Sequence, residues 1–262
     1  MEPNEYILMS KQQDAHWWFR ARRKIIQTSI ERFIPSASGS SNASLRILEI
    51  GSGMGGNFEL LAKFGDVYAA EKHDVAIEYS QSLGIAKDVK QAELPQHFPY
   101  QGEQFDLVVM LDVLEHIDDM ESLKVIVSSL ASSGRLLITV PAFPWLWSNH
   151  DRQMHHHRRY THASLKQVLE VSGLTVHKLS YYNFLLFPAI VATRLRQRLG
   201  QKHVPKGAGG ETQNPASDLK EHGVFVSKLV ERLFASERFM LPYINLPFGV
   251  SLIAVASKDK TP

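Results

Sequence analysis

Short apolar runs alternate with amphipathic helical patterns through most of the chain. The apolar runs lie at 45–50, 67–71, 88–91, 105–110 and 135–140, and two more follow at 174–179 and 249–257. Between most of them, apolar residues recur about every 3.6 positions, the period of a helix with one buried face. Strands that alternate with helices are typical of a parallel sheet with helices on both faces. The pattern therefore predicts an α/β fold built on seven strands.

Segments outside this alternation predict helical additions to the sheet. A helix is predicted over 14–34 and ends at Pro35, and the Ser/Gly-rich run 36–44 predicts a linker. Before the last strand lies an insertion with an amphipathic helix at 218–236, preceded by a polar, Gly- and Pro-rich stretch at 200–217 for which we predict disorder. The predicted domains are a helical cap and linker at 1–44, a core at 45–183 and 246–258, and a helical insertion at 184–245.

A glycine-rich turn follows the first predicted strand, in the run Leu-Arg-Ile-Leu-Glu-Ile-Gly-Ser-Gly-Met-Gly-Gly at 45–56. Because Gly51, Gly53 and Gly55 lack Cβ atoms, the backbone can turn tightly and a ligand can lie directly against it. The next apolar run ends about twenty residues later in Glu71, where the ribose hydroxyls of a nucleotide cofactor are usually held. These segments predict a cofactor site with Glu71 as its ribose ligand.

The spacing of the glycines leaves two cofactor classes open. Gly51, Gly53 and Gly56 satisfy the G-x-G-x-x-G pattern of dinucleotide-binding proteins, which would make the protein an NAD(P)-dependent oxidoreductase. Gly51, Gly53 and Gly55 satisfy the G-x-G-x-G pattern of methyltransferases.

The segment Phe-Asp-Leu-Val-Val-Met-Leu-Asp-Val-Leu-Glu-His-Ile at 105–117 favours the second class. It resembles the fourth-strand region of class I S-adenosylmethionine-dependent methyltransferases, which often carry F-D-x-V and then V-L-E-H. The chain is similar to the methyltransferase type 11 and type 12 domain families, because the glycine turn, Glu71, Leu94-Pro95 and this segment occur in the family's order and spacing. The resemblance implies a Rossmann-like, seven-stranded, mostly parallel sheet that ends in an antiparallel hairpin.

The resemblance also implies a binding site for S-adenosylmethionine, with S-adenosylhomocysteine as product, at the carboxyl ends of the strands. It implies that Gly51 and Gly53 cradle the amino-acid portion of the cofactor and that Glu49 organises its amino end. His116 could serve as a base, since the ordinary pKa of histidine lies near neutrality, but we favour a role in closing the cofactor pocket. The implied cofactor-binding residues are Glu49, Gly51, Ser52, Gly53, Gly55, Glu71, Ala92, Glu93, Leu94, Leu111, Asp112 and His116.

Aromatic, histidine and arginine residues cluster after the fifth predicted strand, where this architecture receives its methyl acceptor. The runs Leu-Trp-Ser-Asn-His-Asp at 146–151, His-His-Arg-Arg-Tyr at 156–160 and His-Trp-Trp-Phe-Arg-Ala-Arg-Arg at 16–23 resemble motifs of a bacterial methyltransferase subgroup with small-molecule or lipid-like acceptors. Arginine forks suit a phosphate or carboxylate and tryptophans offer apolar walls, which favours an anionic, amphipathic acceptor.

The same segment supplies the candidate catalytic residues. His150 or His156 can remove a proton from the acceptor, with Asp151 orienting one imidazole. The candidate acceptor-binding residues are Trp145, Trp147, Arg158, Arg159 and Tyr160. A salt-bridged, hydrogen-bonded lid is the alternative interpretation of these residues.

The composition excludes several kinds of chemistry. The 262 residues contain no cysteine, which excludes disulfides, a thiolate nucleophile and cysteine-ligated metal sites and fits a cytoplasmic protein. No metal ligands are predicted, since adjacent histidines on a helix do not face one point and two neighbouring arginines repel a cation. The net charge of +2 is too small to indicate a nucleic-acid partner.

The basic residues Arg194, Arg196 and Arg198 follow the apolar run 184–192. Arginines attract anionic headgroups and apolar side chains enter the interface, so the region 184–206 could contact the inner face of a membrane. It is too short to span one. We favour packing of 184–192 against the apolar residues of 224–234.

The sequence therefore predicts an enzyme that transfers the methyl group of S-adenosylmethionine to an oxygen, nitrogen or carbon of a small, anionic or lipid-like acceptor. Two alternatives stay open: the NAD(P)-dependent oxidoreductase, and a cofactor-binding protein without catalysis that acts on a partner.

Overall fold

The computed structural model describes residues 16–34, 44–201 and 224–259. The predicted linker at 36–44 and the predicted disordered stretch at 200–217 lie outside these ranges, apart from their end positions. The helices are α1 (Trp17–Phe33), α2 (Phe58–Leu61), α3 (Asp74–Ser82), α4 (Asp119–Ser129), α5 (Asn149–Gln153), α6 (His162–Val171), α7 (Phe187–Gln201) and α8 (Val224–Ser236). The strands are β1 (Leu45–Ile50), β2 (Gly65–Glu71), β3 (Asp88–Gln91), β4 (Phe105–Leu111), β5 (Leu130–Pro141), β6 (Leu174–Tyr182) and β7 (Ser251–Lys258).

The seven strands form one sheet in the order β3-β2-β1-β4-β5-β7-β6. Strands β1 to β5 pair in parallel, whereas β7 lies antiparallel between β5 and β6. This arrangement confirms the predicted fold class, including the antiparallel hairpin of the last two strands. The chain reverses its direction of winding between β1 and β4, and ligands of such sheets bind at the carboxyl ends of the strands beside that reversal.

The central strands are apolar on both faces because helices cover both sides of the sheet. Along β4, Val108 and Met110 belong to one buried cluster, whereas Leu107 and Val109 belong to the cluster on the opposite face. This alternation follows from the two-residue period of a strand. Burial of both faces explains why β1 and β4 appear in the sequence as continuous apolar runs.

Side chains cap the first turn of two of the helices. The Asp118 side chain accepts a hydrogen bond from the Glu121 backbone at the start of α4. The Thr161 side chain accepts one from the Ser164 backbone at the start of α6. These side chains satisfy donors that the first turn of a helix leaves unpaired.

Helix α8 packs on α1 rather than on α7. Phe234 is fully buried and lies edge to face with Trp17, at 6.5 Å between ring centroids, while Glu231 pairs with Arg20 and Lys24 at 2.7 Å each. The predicted packing of 184–192 against 224–234 is therefore not the main contact of this helix, although Phe184 and Leu186 pack against the buried cluster that contains Phe234. Both α1 and α7 offer apolar residues, and only the tertiary fold decides which of them meets α8.

Candidate cofactor and acceptor site

In the glycine turn after β1, the backbone of one glycine has open space beside it. Gly51, Gly53 and Gly55 have φ angles of 67°, 53° and 76°, a region that L side chains rarely adopt. A Cβ on Gly51 would lie 2.5 Å from the Val113 side chain, and one on Gly55 would lie 2.8 Å from the Phe58 ring. A Cβ on Gly53 would meet no described atom within 4 Å. Gly53 therefore borders space that a ligand can occupy.

Glu71 at the end of β2 is oriented by this turn. Its Oε2 accepts a hydrogen bond from the Gly53 backbone at 2.8 Å, and its Oε1 accepts one from the His73 backbone at 3.1 Å. Each carboxylate oxygen has a further lone pair. The side chain can therefore accept hydroxyl hydrogen bonds beside Gly53.

Glu49 is a buried and only partly satisfied carboxylate at the end of β1. Its Oε1 accepts a hydrogen bond from Asn57 at 2.7 Å, whereas its Oε2 has no hydrogen-bond partner among the described residues. Burial raises the pKa of Glu49 to about 7, although Asn57 and Arg22 act to lower it. A buried acceptor of this kind suits a ligand that brings a donor or a positive charge.

Arg22 ties α1 to the same edge of the sheet and is not among the predicted site residues. Its guanidinium lies 2.6 Å from Asp112 Oδ2 and donates to Thr139 Oγ1 at 2.9 Å. The Thr139 hydroxyl donates to Asp112 Oδ1 at 3.1 Å. Arg22 lies within the motif at 16–23, which could have drawn attention to it. Only the position of α1 in the fold shows that Arg22 is buried beside Asp112.

The other predicted cofactor residues differ in exposure. Ser52, Ala92 and Leu111 are buried, and Leu94 packs against the core. Glu93 is exposed and pairs with Lys72 at 2.6 Å. Its carboxylate is thus engaged at the surface.

Asp151 organises the segment after β5. It is fully buried and accepts from Arg159 Nε at 2.7 Å, from the Ser148 backbone at 2.7 Å and from His156 Nδ1 at 2.9 Å. Burial opposes its ionisation, but hydrogen bonds from His156 and Arg159 outweigh burial and hold the pKa of Asp151 well below its usual range. The structure thus joins Asp151 to His156, one of the two predicted bases.

Both predicted arginines pair with carboxylates, Arg159 through two nitrogens and Arg158 through Nη1. Arg159 also donates to the Ala142 carbonyl at 2.9 Å, and Arg158 lies 2.7 Å from Asp119, which accepts from the Tyr160 hydroxyl at 2.8 Å. This geometry favours the hydrogen-bonded alternative over free donors for an anionic acceptor.

An aromatic wall stands at the carboxyl end of β5. The Phe143 ring stacks on Tyr181 at 4.9 Å and lies 5.5 Å from Trp145 and 5.9 Å from Phe187. Trp145 is 47% exposed, and Trp147 is less exposed, at an intermediate level. These rings form an apolar surface beside the end of β5.

Glu115, His116 and His156 come together although the sequence places them in different roles. The His116 and His156 rings meet edge to face at 4.7 Å, and His156 Nε2 lies 4.0 Å from Glu115 Oε1. Burial, reinforced by His156, lowers the pKa of His116 to about 4, while Asp112 and the His155 backbone act against this shift. Burial raises the pKa of Glu115 well above its usual value, and Asp112 adds to the effect. Glu115 is not among the predicted site residues, although it lies within V-L-E-H.

Comparison with known proteins identifies the family. A family model described as a methyltransferase domain matches residues 18–179. The chain belongs to this family, which confirms its resemblance to class I S-adenosylmethionine-dependent methyltransferases, and its cofactor is S-adenosylmethionine. An uncharacterised protein of Methanocaldococcus jannaschii is 28% identical over 94 residues, which cover 36% of this chain and 40% of that relative. The match thus spans less than half of the relative's length.

Solved structures share the fold at low identity. The plantazolicin methyltransferase BpumL in complex with S-adenosylhomocysteine has a TM-score of 0.60 at 13% identity, covering 99% of this chain and 91% of that one. A Haloferax volcanii structure, the complex of a methyltransferase with the activator Trm112, has a TM-score of 0.54 at 14% identity, covering 96% of this chain and 98% of that one. At these identities the likeness supports the fold alone.

Among the residues that the structure describes, none of the helices combines the length and the apolar character needed to cross a bilayer. Large exposed apolar side chains are concentrated on α8 and the turn after it, including Phe225, Phe239 and Tyr243. On α7, Leu195 is exposed.

Proposed function

We propose that this methyltransferase transfers a methyl group to an oxygen, nitrogen or carbon of a small, apolar or amphipathic acceptor that binds beside the aromatic wall. The observation that carries the proposal is the bare backbone at Gly53, flanked by Glu49 and Glu71 at the carboxyl ends of neighbouring strands. A lipid-like acceptor fits the exposed face of Trp145. The occupied arginine forks weaken the case for an anionic one.

The residues present fit the cofactor. Glu71 is placed to accept hydrogen bonds from its ribose, and the open side of Gly53 leaves room for it against the backbone. The Oε2 atom of Glu49, which has no hydrogen-bond partner within the described parts of the chain, suits the positively charged amino group of the cofactor's amino-acid tail. When bound, S-adenosylmethionine supplies a methyl group that already carries a good leaving group.

The contribution of the protein is then mainly positioning and exclusion of water. Arg22 contacts both Asp112 and Thr139 at the ends of β4 and β5, so that these two side chains keep their positions beside the site. Phe143 and Trp145 supply the apolar side on which an acceptor can lie.

General-base catalysis by His156 or His150 stays a prediction. The ionised Asp151 carboxylate can only accept, so His156 Nδ1 donates to it, which leaves Nε2 as the ring nitrogen that faces away from Asp151. This arrangement supports His156 over His150 as the residue that Asp151 orients.

Contact of 184–206 with a membrane surface also stays a prediction. Phe187 packs against Phe143 and Phe248, which removes one of the apolar residues from the surface that the prediction needs.

The proposal is tested by incubating the purified chain with methyl-labelled S-adenosylmethionine and a bacterial cell extract, followed by untargeted mass spectrometry. We expect at least one small or lipid-like compound to acquire the mass of one labelled methyl group. The Gly53→Val variant is the control, and labelling should be lost with it. Tight cofactor binding with no labelled product in aqueous and lipid fractions would instead support the non-catalytic alternative.

A further inference from the structure

The side chains of Glu115, His116 and His156 each offer one possible metal-ligand atom, and these three atoms all lie within 4.8 Å of one another. Glu115 and His116 belong to a short 3₁₀ turn, Leu114–His116, after β4, and His156 follows α5. We propose that these three residues form a binding site for a divalent transition-metal cation of the zinc type. The site lies outside the glycine turn and goes beyond the methyl transfer proposed above.

Glu115 supplies an independent reason for a cation. Its side chain is fully buried, and neither carboxylate oxygen has a hydrogen-bond partner among the described residues. A buried carboxyl group without hydrogen bonds is stable either as the protonated acid or as a carboxylate beside a positive charge, and a bound cation would supply that charge. The two arginines that act on Glu115 electrostatically, Arg22 and Arg159, already pair with Asp112 and Asp151.

His156 is held as metal-binding histidines usually are. Its Nδ1 donates to the buried Asp151 carboxylate at 2.9 Å, which leaves the Nε2 lone pair on the side of Glu115. A carboxylate behind a histidine fixes the tautomer and the ring orientation and is the common second partner of metal-ligating imidazoles. Asp151 therefore prepares His156 to bind a cation through Nε2.

The neighbouring arginines do not oppose a cation here. Arg158 is paired with Asp119 and Arg159 with Asp151, so each positive charge has its own carboxylate. The ligand set also differs from the adjacent histidines of the run at 155–157. His155 and His157 are exposed, and only His156 joins the cluster.

The donor set selects the kind of metal. Two imidazoles and one carboxylate suit zinc, iron or nickel, whereas magnesium prefers oxygen ligands. Ligands about 2.1 Å from a tetrahedral zinc ion lie roughly 3.4 Å apart, so the ligand atoms, now within 4.8 Å of one another, would approach each other by up to about 1.4 Å on binding. Three protein ligands leave one position open. An acceptor oxygen could occupy it, and this last step alone rests on the proposed function.

The test is a titration of the purified, chelator-treated full chain with Co²⁺, followed through its visible absorption bands, and then with competing Zn²⁺. We expect one equivalent to bind and Zn²⁺ to displace Co²⁺. Glu115→Gln, His116→Ala and His156→Ala should each weaken binding at least about tenfold. His157→Ala is the matched control, because His157 is exposed and adjacent to His156, and it should bind like the native chain.

Folding of each variant is checked by circular dichroism. Because Glu115 is buried, the half-buried His116 gives the variant that least disturbs the core. Absence of stoichiometric binding by the native chain, or an equal loss in His157→Ala and His116→Ala, would overturn the proposal. If the bound cation, rather than His156, activates the acceptor, removal of the metal should lower turnover while S-adenosylmethionine still binds. Metal binding is read without any methyl transfer, so either proposal can fail while the other stands.

Discussion

Glu49, at the end of β1, is a buried carboxyl group whose ionisation depends on the charges beside it. Its folded-state pKa of about 7 lies above the ordinary value of 4.5. Folding therefore favours its protonated form, and its contribution to stability falls as pH rises from about 4.5 through 7. A positively charged amino group beside Oε2 favours the ionised form instead.

We accordingly expect the affinity for S-adenosylmethionine to rise between pH 6 and about 7.5, with release of a proton on binding. Calorimetry in two buffers of different ionisation enthalpy measures both effects. Glu49→Gln keeps the shape of the side chain and should remove the proton release and the pH dependence that it causes. An unchanged pH profile in this variant would mean that Glu49 does not interact with the cofactor.

Arg158 and Arg159 are neighbours with different surroundings. The Arg159 side chain is 3% exposed and pairs with a fully buried Asp151, whereas the Arg158 side chain is 37% exposed. Arg159→Ala removes the arginine that contacts both oxygens of the buried Asp151 carboxylate and should lower the free energy of unfolding by about 3–5 kcal/mol. Arg158→Ala should lower it by only about 0–1 kcal/mol.

Urea denaturation of the two variants measures this difference. Equal, small losses would mean that the Asp151 network contributes little to the fold. In that case the free-donor interpretation of both arginines would regain support.

At the scale of elements, helix α8 offers two phenylalanines for a test of its packing. Phe234 is 0% exposed against α1, and Phe225 is 81% exposed. Phe234→Ala should therefore lower the free energy of unfolding by about 3–5 kcal/mol. Phe225→Ala should change it by less than about 0.5 kcal/mol. Thermal and urea denaturation provide the measurement, and similar values for both would contradict the docking of α8 on α1.

The strands were accessible to sequence reasoning, whereas the helix contacts were not. Strands such as β1 and β4 are buried on both faces, so their apolar runs and the glycine turn that follows are visible in the sequence. The pairing of α8 with α1 depends on which of several apolar faces meet. Glu115, His116 and His156 likewise join only because the segments after β4 and β5 lie side by side.

At the scale of the whole molecule, the central claim is that the glycine turn at the carboxyl edge of the sheet holds S-adenosylmethionine. Gly53 and Gly84 have similar φ angles, 53° and 65°, and at both a Cβ would meet no described atom within 4 Å. Valine therefore imposes a similar backbone strain at either position. Gly84 lies in the turn after α3, and only Gly53 borders the proposed cofactor space.

Calorimetric titration of the native chain, Gly53→Val and Gly84→Val with S-adenosylmethionine tests this claim most directly, with NAD as the competing ligand. We predict micromolar binding of S-adenosylmethionine to the native chain and to Gly84→Val, loss of binding in a folded Gly53→Val, and no binding of NAD. Native affinity in Gly53→Val, or a preference of the native chain for NAD, would contradict the account.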